Sequence, residues 1–241
     1  MSHSEEIEIS AVVPVYNEEE NLPILVPKLA EVLKSLEFPY EMIFVDDGSS
    51  DGSRRILKEM ASQYSSLRII GFKGNRGLST ALYAGMKEAR GKKIATLDSD
   101  LQNDPADIPK LMVYLDHYDM ATGWRQKRED PWLKKISSKI ANSIRNRLSG
   151  EAIQDSACTL RVFKRECLKD IKVFNGMHRF LSTLVRMDGY RVVEVPVSHH
   201  PRRFGKSKYN IRNRMWRSFI DLLAVRWMKH RCIHYEIEER I

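Results

Sequence analysis

The chain has 241 residues, 42% of them hydrophobic and 30% charged, with 12 glycines and 9 prolines. This composition is sufficient for one large or two small folded domains, and it excludes disordered, collagen-like and coiled-coil proteins. The three cysteines are odd in number and form no CxxC pair, so neither a disulfide scaffold nor a zinc knuckle fits.

The chain begins with an acidic, polar stretch, and no apolar run approaches the roughly 18 residues that suggest a membrane span. We therefore expect a soluble intracellular protein. The net charge of +8 is unevenly divided, because residues 1–120 hold 13 Lys and Arg against 20 Asp and Glu, whereas residues 121–241 hold 27 against 12. The second half is expected to meet an anionic partner, unless it is simply a basic soluble surface.

Short apolar runs alternate with helical patterns along the first hundred residues. The apolar runs lie at Ile9–Val15, Met42–Val45, Leu67–Phe72 and Ile94–Leu97, and the helical patterns between them at Leu22–Leu36, Ser53–Tyr64 and Gly77–Arg90. Short runs without polar alternation are typical of strands buried on both faces. The strand–helix order then predicts an α/β fold, with a mostly parallel, doubly wound twisted sheet and helices on both faces.

Acidic residues gather where the predicted strands end, and ligands of such sheets bind beyond the carboxyl ends of strands. Asp98 and Asp100 follow the fourth apolar run directly. Two hard oxygen ligands, with Gln102 as a third, suit Mg²⁺ or Mn²⁺. Because Mg²⁺ is usually shared between carboxylates and substrate phosphates, the pattern also predicts a phosphate-bearing substrate.

The second predicted strand ends in the acidic segment 46–52, DDGSSDG. Part of it is expected to form a strand-to-helix turn, with Asp51 or Ser53 as the N-cap. That role leaves Asp46 and Asp47 to accept hydrogen bonds from a base N–H or from ribose hydroxyls. No GxGxxG or GxxxxGK[ST] phosphate loop is present, and the glycine-rich segment 71–77 is interpreted as a turn into a helix whose Arg76 faces a phosphate.

Four segments together resemble the family 2 glycosyltransferases of the GT-A fold. They are VVPVYNEEENL at 12–22, VDDGSSDGS at 45–53, NRGLSTALYAG at 75–85 and DSDLQNDP at 98–105. Two later segments, QDSACTLRVF at 154–163 and HPRRFGKSKY at 200–209, resemble the polyprenyl-phosphate (dolichol-phosphate) mannose or glucose synthases within that family. The resemblance covers roughly residues 8–212.

The resemblance implies roles for residues at the strand ends. The nucleotide sugar would be held by Pro14, Tyr16, Glu18 and Asp46, joined by Asp47, Arg76 and Asp98. The metal and the diphosphate would be held by Asp98, Asp100 and Gln102. The predicted catalytic residues are Asp100, Arg125, Arg202 and Lys208. Asp155 would organise the site by binding cations such as Arg161.

A basic segment near residue 200 is expected to bind phosphate, since guanidinium and ammonium groups grip phosphate oxygens. In the related synthases this loop closes over the donor diphosphate and the lipid phosphate, which implies such roles for Arg202, Ser207 and Lys208. Arg125 and Arg128 follow the predicted strand Met120–Thr122 and match the acceptor-phosphate arginines of the family. The alternative for the basic segment near residue 200 is a solvated charged loop that binds no phosphate. His178, His199 and His200 lack metal-ligand spacing and are expected at the surface or behind the site.

Two helical segments of the second half are amphipathic or basic. Residues 131–150 carry an apolar residue every fourth position with lysines and arginines between, which suits either the headgroup plane of an anionic membrane or packing on the core. Residues 211–230 predict one helix, apolar at Met215, Trp216, Phe219, Ile220, Leu223 and Trp227. It lies on a membrane surface or packs against the domain or another subunit, so a homo-oligomer stays open. We therefore divide the chain into a GT-A domain, 1–210, which contains the segment 131–150, and a basic helix and tail, 211–241.

The resemblance implies an inverting, metal-dependent transfer of a hexose from a nucleotide diphosphate sugar to a polyprenyl phosphate. The acceptor phosphate has a second pKa near 6 and needs no general base, whereas a sugar hydroxyl needs one. One alternative is a transferase of the same fold that glycosylates a saccharide. Another is a nucleic-acid-binding protein, but its helix-turn-helix or RNA-recognition signature is absent and we expect no nucleic acid partner. The expected location is the cytoplasm, peripherally at the inner face of the membrane.

Overall fold

The computed structural model describes residues 6–125, 153–155, 158–204, 211–233 and 239, with side chains throughout except at 211–217. Its strands are β1 (Ile9–Val15), β2 (Tyr40–Asp46), β3 (Leu67–Gly71), β4 (Lys93–Thr96), β5 (Met120–Arg125), β6 (Arg161–Lys164) and β7 (Val192–Val197). The α-helices are α1 (Leu22–Lys34), α2 (Ser53–Ala61), α3 (Leu78–Glu88), α4 (Ile108–Val113), α5 (Leu181–Met187) and α6 (Ile211–Arg231).

The described strands form one seven-stranded sheet in the order β3-β2-β1-β4-β6-β5-β7. The pairs β1–β2, β2–β3, β1–β4 and β5–β7 are parallel, and β6 is antiparallel to both β4 and β5. The predicted α/β fold with a mostly parallel sheet is therefore confirmed. Since β1, β2 and β4 point the same way, their carboxyl ends meet at one edge of the sheet.

Helices cover both faces of the sheet, as the fully apolar strand β1 requires. Helices α1, α2 and α4 pack on one face, where Leu25 and Leu29 of α1 meet Val13 and Phe44 of the sheet. Helices α3, α5 and α6 pack on the other face, where Leu82 and Leu184 join Val12 and Ile43. The alternation of side chains along each strand thus divides the core into two layers.

Helix α3 approaches the sheet unusually closely at Gly85. A Cβ atom at this position would overlap Val12 Cγ1 and lie 2.9 Å from Val45 Cγ2. The absence of a side chain lets the helix backbone rest directly on β1 and β2. This contact holds the C-terminal half of α3 against β1 and β2.

The C-terminal helix α6 runs as predicted, but its contacts differ from the expected apolar stripe. Leu222 and Val225 are buried in the core layer that α3 and α5 form on one face of the sheet. Phe219, Leu223 and Trp227, which the sequence places on the apolar stripe, are exposed. The helix therefore docks on the domain through a neighbouring face and leaves the predicted one uncovered within the described residues. Among the described residues, every helix is too short or too polar to span a bilayer.

Candidate active site

Two loops at the carboxyl ends of β1 and β2 hold each other in place. Asn17, which has a left-handed φ of 54°, receives a hydrogen bond from the backbone N–H of Ser50 and donates its own backbone N–H to Ser49 Oγ. Gly48 has a φ of 71°, and a Cβ there would lie 2.5 Å from the backbone of Gly74. The three loops after β1, β2 and β3 are therefore locked together around the edge of the sheet.

Helix α2, which follows the loop after β2, has a different N-cap residue from the two that the sequence predicted. Its N-cap is Gly52 and makes no side-chain capping bond, so neither Asp51 nor Ser53 is the N-cap. The Asp51 carboxylate instead accepts the backbone N–H of Ser53, and Ser53 Oγ accepts the backbone N–H of Glu18. Asp51 therefore satisfies the first backbone N–H of α2 from outside the N-cap position, whereas Ser53 Oγ links α2 to the loop after β1, which contains Glu18.

Asp46, at the end of β2, is fully buried and already has protein partners on both oxygens. Its Oδ2 accepts from Arg54 Nε at 2.5 Å and its Oδ1 accepts from the backbone N–H of Ser49 at 3.0 Å. Arg54 also donates to the carbonyl of Phe72. Asp46 therefore organises the loop ends, and its contact with a nucleotide stays a prediction.

Asp47 has a similar structural role one residue further along. Its two oxygens accept the backbone N–H groups of Arg76 and Gly77, at 2.6 and 2.9 Å. These N–H groups immediately precede α3, whose N-cap is Gly77 at a φ of 90°. The carboxylate thereby fixes the entrance to the helix and leaves the Arg76 side chain exposed beside the helix N-terminus. The phosphate contact of Arg76 is untested.

Asp98 and Asp100 lie just beyond β4, as predicted. Burial, and then the charge of Asp100, raise the pKa of Asp98 to about 6, although a hydrogen bond from Thr159 and the charges of Arg161 and Arg125 act in the opposite direction. Asp100 is 7% exposed, and its Oδ1 accepts the backbone N–H of Gln102. Two partly desolvated carboxylates that repel each other form an acidic floor that favours a cation.

The basic segment 199–203, HHPRR, lies across this acidic floor and is called the basic arm below. Arg202 Nη2 donates to Asp100 Oδ2 at 2.5 Å, and Arg202 Nη1 lies 4.0 Å from Glu18 Oε1. The arm is held along its length, because the backbone N–H of His200 donates to the carbonyl of Gln102 and His199 bridges to Asn103. The structure therefore brings together the predicted metal residue Asp100, the predicted nucleotide residue Glu18 and the predicted phosphate residue Arg202.

A buried ion pair supports the site from the side of β5. Asp155 accepts from Arg125 at Nε (2.6 Å) and Nη2 (2.9 Å), and the two side chains are only 3% and 16% exposed. The expected partner, Arg161, is fully buried on β6, and its Nε and Nη1 have no hydrogen-bond partner among the described residues. The cation hydrogen-bonded to Asp155 is therefore Arg125, whereas Arg161 is linked to Asp98 and Asp155 by electrostatic attraction.

The donor set fits a hard divalent cation. Carboxylate oxygens of Asp98 and Asp100 and the amide oxygen of Gln102 are the ligand types that Mg²⁺ and Mn²⁺ prefer. Within the described residues, no group of three or more His, Cys, Asp or Glu side chains is arranged to hold a metal ion. Mg²⁺ is usually held by one or two carboxylates together with substrate phosphates, so the two carboxylates and one amide are chemically compatible with such an ion.

The remaining predicted residues divide into two groups. Pro14, at the end of β1, and Tyr16 and Glu18, just beyond it, lie at the same edge as the acidic floor. Arg128, Ser207, Lys208 and the whole segment 131–150 lie outside the described residues.

Three side chains of the site were not expected to belong to it. Arg54 neutralises Asp46, Thr159 bonds Asp98, and His178 lines a small cavity beside Asp98. Arg54 left a signal in the sequence, because a cation in the first turn of a helix opposes the helix dipole and asks for an acidic partner. Thr159 and His178 left none, since each reaches the site from a distant part of the chain.

The sequence profile of glycosyl transferase family 2 matches residues 10–172. The chain belongs to this family. Dodecaprenyl-phosphate galacturonate synthase of Rhizobium johnstonii is 39% identical over 225 residues, which are 91% of this chain and 66% of that protein. The chain therefore spans just under two thirds of the relative's length.

Solved structures of similar fold include two proteins of 16–18% identity. Glucosyl-3-phosphoglycerate synthase of Mycobacterium tuberculosis, crystallised with Mn²⁺, UDP-glucose and phosphoglyceric acid, has a TM-score of 0.69 over 91% of this chain and 79% of that one. TarS of S. aureus has a TM-score of 0.60 over 95% of this chain and 67% of that one. At 16–18% identity, this structural similarity shows the fold alone. The fold is the GT-A fold that the sequence predicted.

Proposed function

We propose that this chain is an inverting, metal-dependent glycosyltransferase that moves a hexose from a nucleotide diphosphate sugar to a polyprenyl phosphate. The observation that carries the proposal is Arg202 lying on Asp100 at the carboxyl edge of the sheet. It brings the basic arm and the acidic floor together at one edge of the sheet. A metal-bound diphosphate needs the carboxylates to hold the metal and the cations to bind its oxygens. The similarity to dodecaprenyl-phosphate galacturonate synthase supports a polyprenyl phosphate acceptor and adds galacturonate to the candidate sugars.

Asp98, Asp100 and Gln102 would hold Mg²⁺ or Mn²⁺, and the structural neighbour crystallised with Mn²⁺ and UDP-glucose supports a divalent ion and a nucleotide sugar. When bound, the ion supplies Lewis-acid neutralisation of the charge that grows on the leaving diphosphate. Arg202 supplies a second positive charge to the same diphosphate or to the acceptor phosphate, and Ser207 and Lys208 are proposed to share this role. Tyr16, Glu18 and Arg76 would position the nucleotide.

The state of Asp155 favours a phosphate acceptor over a saccharide. A saccharide hydroxyl must lose its proton to a general base during attack, whereas a phosphate is already ionised at neutral pH. If Asp155 were that base, its oxygens would have to be available, but Arg125 donates to both of them. A carboxylate fixed in this way is a poor proton acceptor. The Nη1 group of Arg125, which Asp155 does not use, would make the proposed contact with the acceptor phosphate.

We propose further that an anionic membrane surface, at the cytoplasmic face, covers the exposed side of α6. That side carries Phe219, Leu223 and Trp227, and Trp227 is 64% exposed. Arg226 and Arg231 are also exposed, whereas Asp221, the single acidic residue of the helix, pairs with Arg179 of the domain. An apolar stripe flanked by cations and without an outward acid is complementary to anionic headgroups.

The acceptor is tested by offering dodecaprenyl phosphate and a neutral saccharide to the protein with Mn²⁺ and UDP-galacturonate, and by mass spectrometry of the products. Sugar on the lipid phosphate supports the proposal, and sugar on the saccharide contradicts it.

The membrane partner is tested by flotation with vesicles of anionic or zwitterionic lipid. We expect Trp227→Ala to weaken binding to the anionic vesicles, and Phe38→Ala, at another exposed apolar residue, to leave it unchanged. Equal binding by all three proteins would contradict the proposed surface.

A further inference from the structure

Thr159 lies beside Asp98, on the extended segment that leads into β6. Its backbone carbonyl accepts a hydrogen bond from the Thr96 hydroxyl at 2.8 Å, and Thr96 is the buried last residue of β4, two positions before Asp98. Thr159 and Asp98 also line the same small cavity. The bond to Thr96 therefore fixes Thr159 against the strand that carries Asp98, and the Thr159 hydroxyl forms a hydrogen bond with the Asp98 carboxylate.

The Thr159 hydroxyl has two hydrogen-bonding neighbours and a single proton to donate. Asn103 Nδ2 donates to Thr159 Oγ1 at 2.8 Å, so the hydroxyl oxygen is the acceptor in this pair. An ionised carboxylate can only accept a hydrogen bond, so the hydroxyl proton is directed to Asp98. The hydrogen bonds thus run in one direction, from Asn103 to Thr159 to Asp98, and we call these three side chains the Thr159 relay.

The relay is also fixed at its far end. Asn103 is 5% exposed, and its backbone forms a β-bridge with His199 of the basic arm. It lies directly after Gln102, another of the predicted metal residues. The relay therefore connects the basic arm with the acidic floor through short side chains, which lose little rotational freedom when they are ordered.

We infer that Thr159 is a positioning residue for the divalent cation, because its hydroxyl fixes the orientation in which the Asp98 carboxylate meets the ion. This inference rests on the proposed function, since it takes Asp98 to be a ligand of Mg²⁺ or Mn²⁺. A carboxylate that is free to turn loses that freedom when it binds a cation, whereas one held by a hydrogen bond has lost it already. Hydrogen bonds to metal-binding carboxylates contribute about 10- to 100-fold to the affinity for the metal.

Loss of the hydroxyl also has an opposing effect on metal binding. A carboxylate without its hydrogen-bond donor attracts a cation more strongly, because less of its charge is satisfied within the protein. The charges of Arg161 and Arg125, however, also act on Asp98, and they stay in place when a neutral hydroxyl is removed. The formal charge around Asp98 is therefore unchanged, and we expect the lost orientation to decide the direction of the change in metal affinity.

The test measures binding of Mn²⁺ by calorimetry without nucleotide, in variants that separate the hydroxyl from the rest of the side chain. Thr159→Val keeps the shape and removes the hydroxyl, and we expect it to bind Mn²⁺ at least about tenfold more weakly than wild type. Thr159→Ala also lacks the hydroxyl and should bind as weakly. Thr159→Ser, which keeps the hydroxyl and loses the methyl group, should stay within about threefold of wild type. Thr80→Val, at an exposed threonine of α3 that donates to the carbonyl of Arg76, is the matched control with unchanged affinity.

Thermal unfolding without metal shows whether each variant is folded. Mn²⁺ affinity that follows the hydroxyl, whatever the order of thermal stabilities, supports the inference. Equal losses of Mn²⁺ affinity in Thr159→Val and Thr159→Ser would show that the side chain only fills space, and they would overturn it. Unchanged or tighter binding of Mn²⁺ by Thr159→Val would overturn it as well.

The proposed function has a separate readout, namely transfer of sugar to dodecaprenyl phosphate. A protein whose Mn²⁺ affinity follows the Thr159 hydroxyl, but which transfers sugar to another acceptor, would retain this inference and contradict the proposed acceptor. A protein that transfers sugar to the lipid phosphate with the same Mn²⁺ affinity in wild type and Thr159→Val would retain the proposed function and lose the inference.

Discussion

Arg202 and Asp100 form a 2.5 Å ion pair at the centre of the proposed site, between a residue assigned to phosphate and a residue assigned to the metal. The guanidinium supplies the positive charge that Asp100 needs in the absence of ligands. A divalent cation that binds Asp100 Oδ2 must replace it there. The released guanidinium is then available to phosphate oxygens, which links loading of the acidic floor to the arrangement of the basic arm.

Removal of this guanidinium should strengthen binding of the metal alone. We expect Arg202→Ala to bind Mn²⁺ about three- to tenfold more tightly than wild type in calorimetry without nucleotide, because the ion no longer competes with an internal cation. Arg203→Ala removes an exposed neighbouring arginine and serves as the control with unchanged affinity. Weaker Mn²⁺ binding in Arg202→Ala would show that the ion and the guanidinium do not share Asp100.

The same variant should nevertheless be a poor enzyme. If Arg202 meets the charge that develops on the diphosphate, Arg202→Ala lowers kcat by about 10²- to 10³-fold with a smaller change in KM. Steady-state kinetics with dodecaprenyl phosphate measure both constants. A rise in KM at constant kcat would instead assign Arg202 to plain substrate binding.

Asp100 should be indispensable for transfer but not for folding. Asp100→Asn keeps the shape of the side chain and removes one negative charge from the acidic floor, so we expect activity to fall by about 10³-fold or more. The circular dichroism spectrum should be that of wild type. Substantial turnover by a normally folded Asp100→Asn protein would refute the proposed metal site.

The order of elements up to β4 was predictable from the sequence because each strand there is a short apolar run followed by a clear helical pattern. The observed β1 coincides with its predicted run, and the predicted carboxylates do lie at one edge. The position of β6 was not predictable. It is antiparallel between β4 and β5, and such long-range pairing leaves no trace in local periodicity.

The hydrogen-bonding partners of charged residues were the part of the site that the sequence predicted least well. The pairing of Asp155 with Arg125 rather than with Arg161 joins residues 30 positions apart, and such a contact leaves no mark in the local sequence pattern. The exposed stripe of α6 was identified by its period, but the period alone does not say which face docks. Leu222 and Val225 dock because they meet the layer of α3 and α5. His178 was set aside for lack of metal-ligand spacing, and only the fold brings it to Asp98.

Close packing of α3 should make Gly85 intolerant of any side chain. We expect Gly85→Ala to lower the free energy of unfolding by about 1–3 kcal/mol, because the new methyl group overlaps Val12 and Val45. The control is Gly74→Ala, where a Cβ meets nothing within 4 Å. Urea denaturation measures both variants, and equal stabilities would contradict the close contact between α3 and the sheet.

Glu41 should make stability depend on pH in the acid range. Burial by itself raises the pKa of Glu41, but hydrogen bonds from Arg68, the backbone N–H of Arg90 and Ser10 outweigh it, so the pKa is lowered below its ordinary 4.5. A lowered folded-state pKa contributes stability that is fully present above the ordinary value and is lost as the pH falls below it.

Denaturation of Glu41→Gln should therefore show a shallower loss of stability below pH 4.5 than that of wild type. Glu59→Gln, at an exposed carboxylate paired with Arg55 on α2, should behave as wild type in this range. Parallel curves for wild type and Glu41→Gln would remove Glu41 from the acid sensitivity.

The central claim, a divalent cation seated on Asp98 and Asp100 that carries a nucleotide diphosphate, is tested most directly by anomalous diffraction from a crystal grown with Mn²⁺ and UDP. The account predicts one strong manganese peak within coordination distance of both carboxylates, with Arg202 moved from Asp100 to a phosphate oxygen. Nucleotide bound without manganese at this edge, with Arg202 still paired to Asp100, would contradict it.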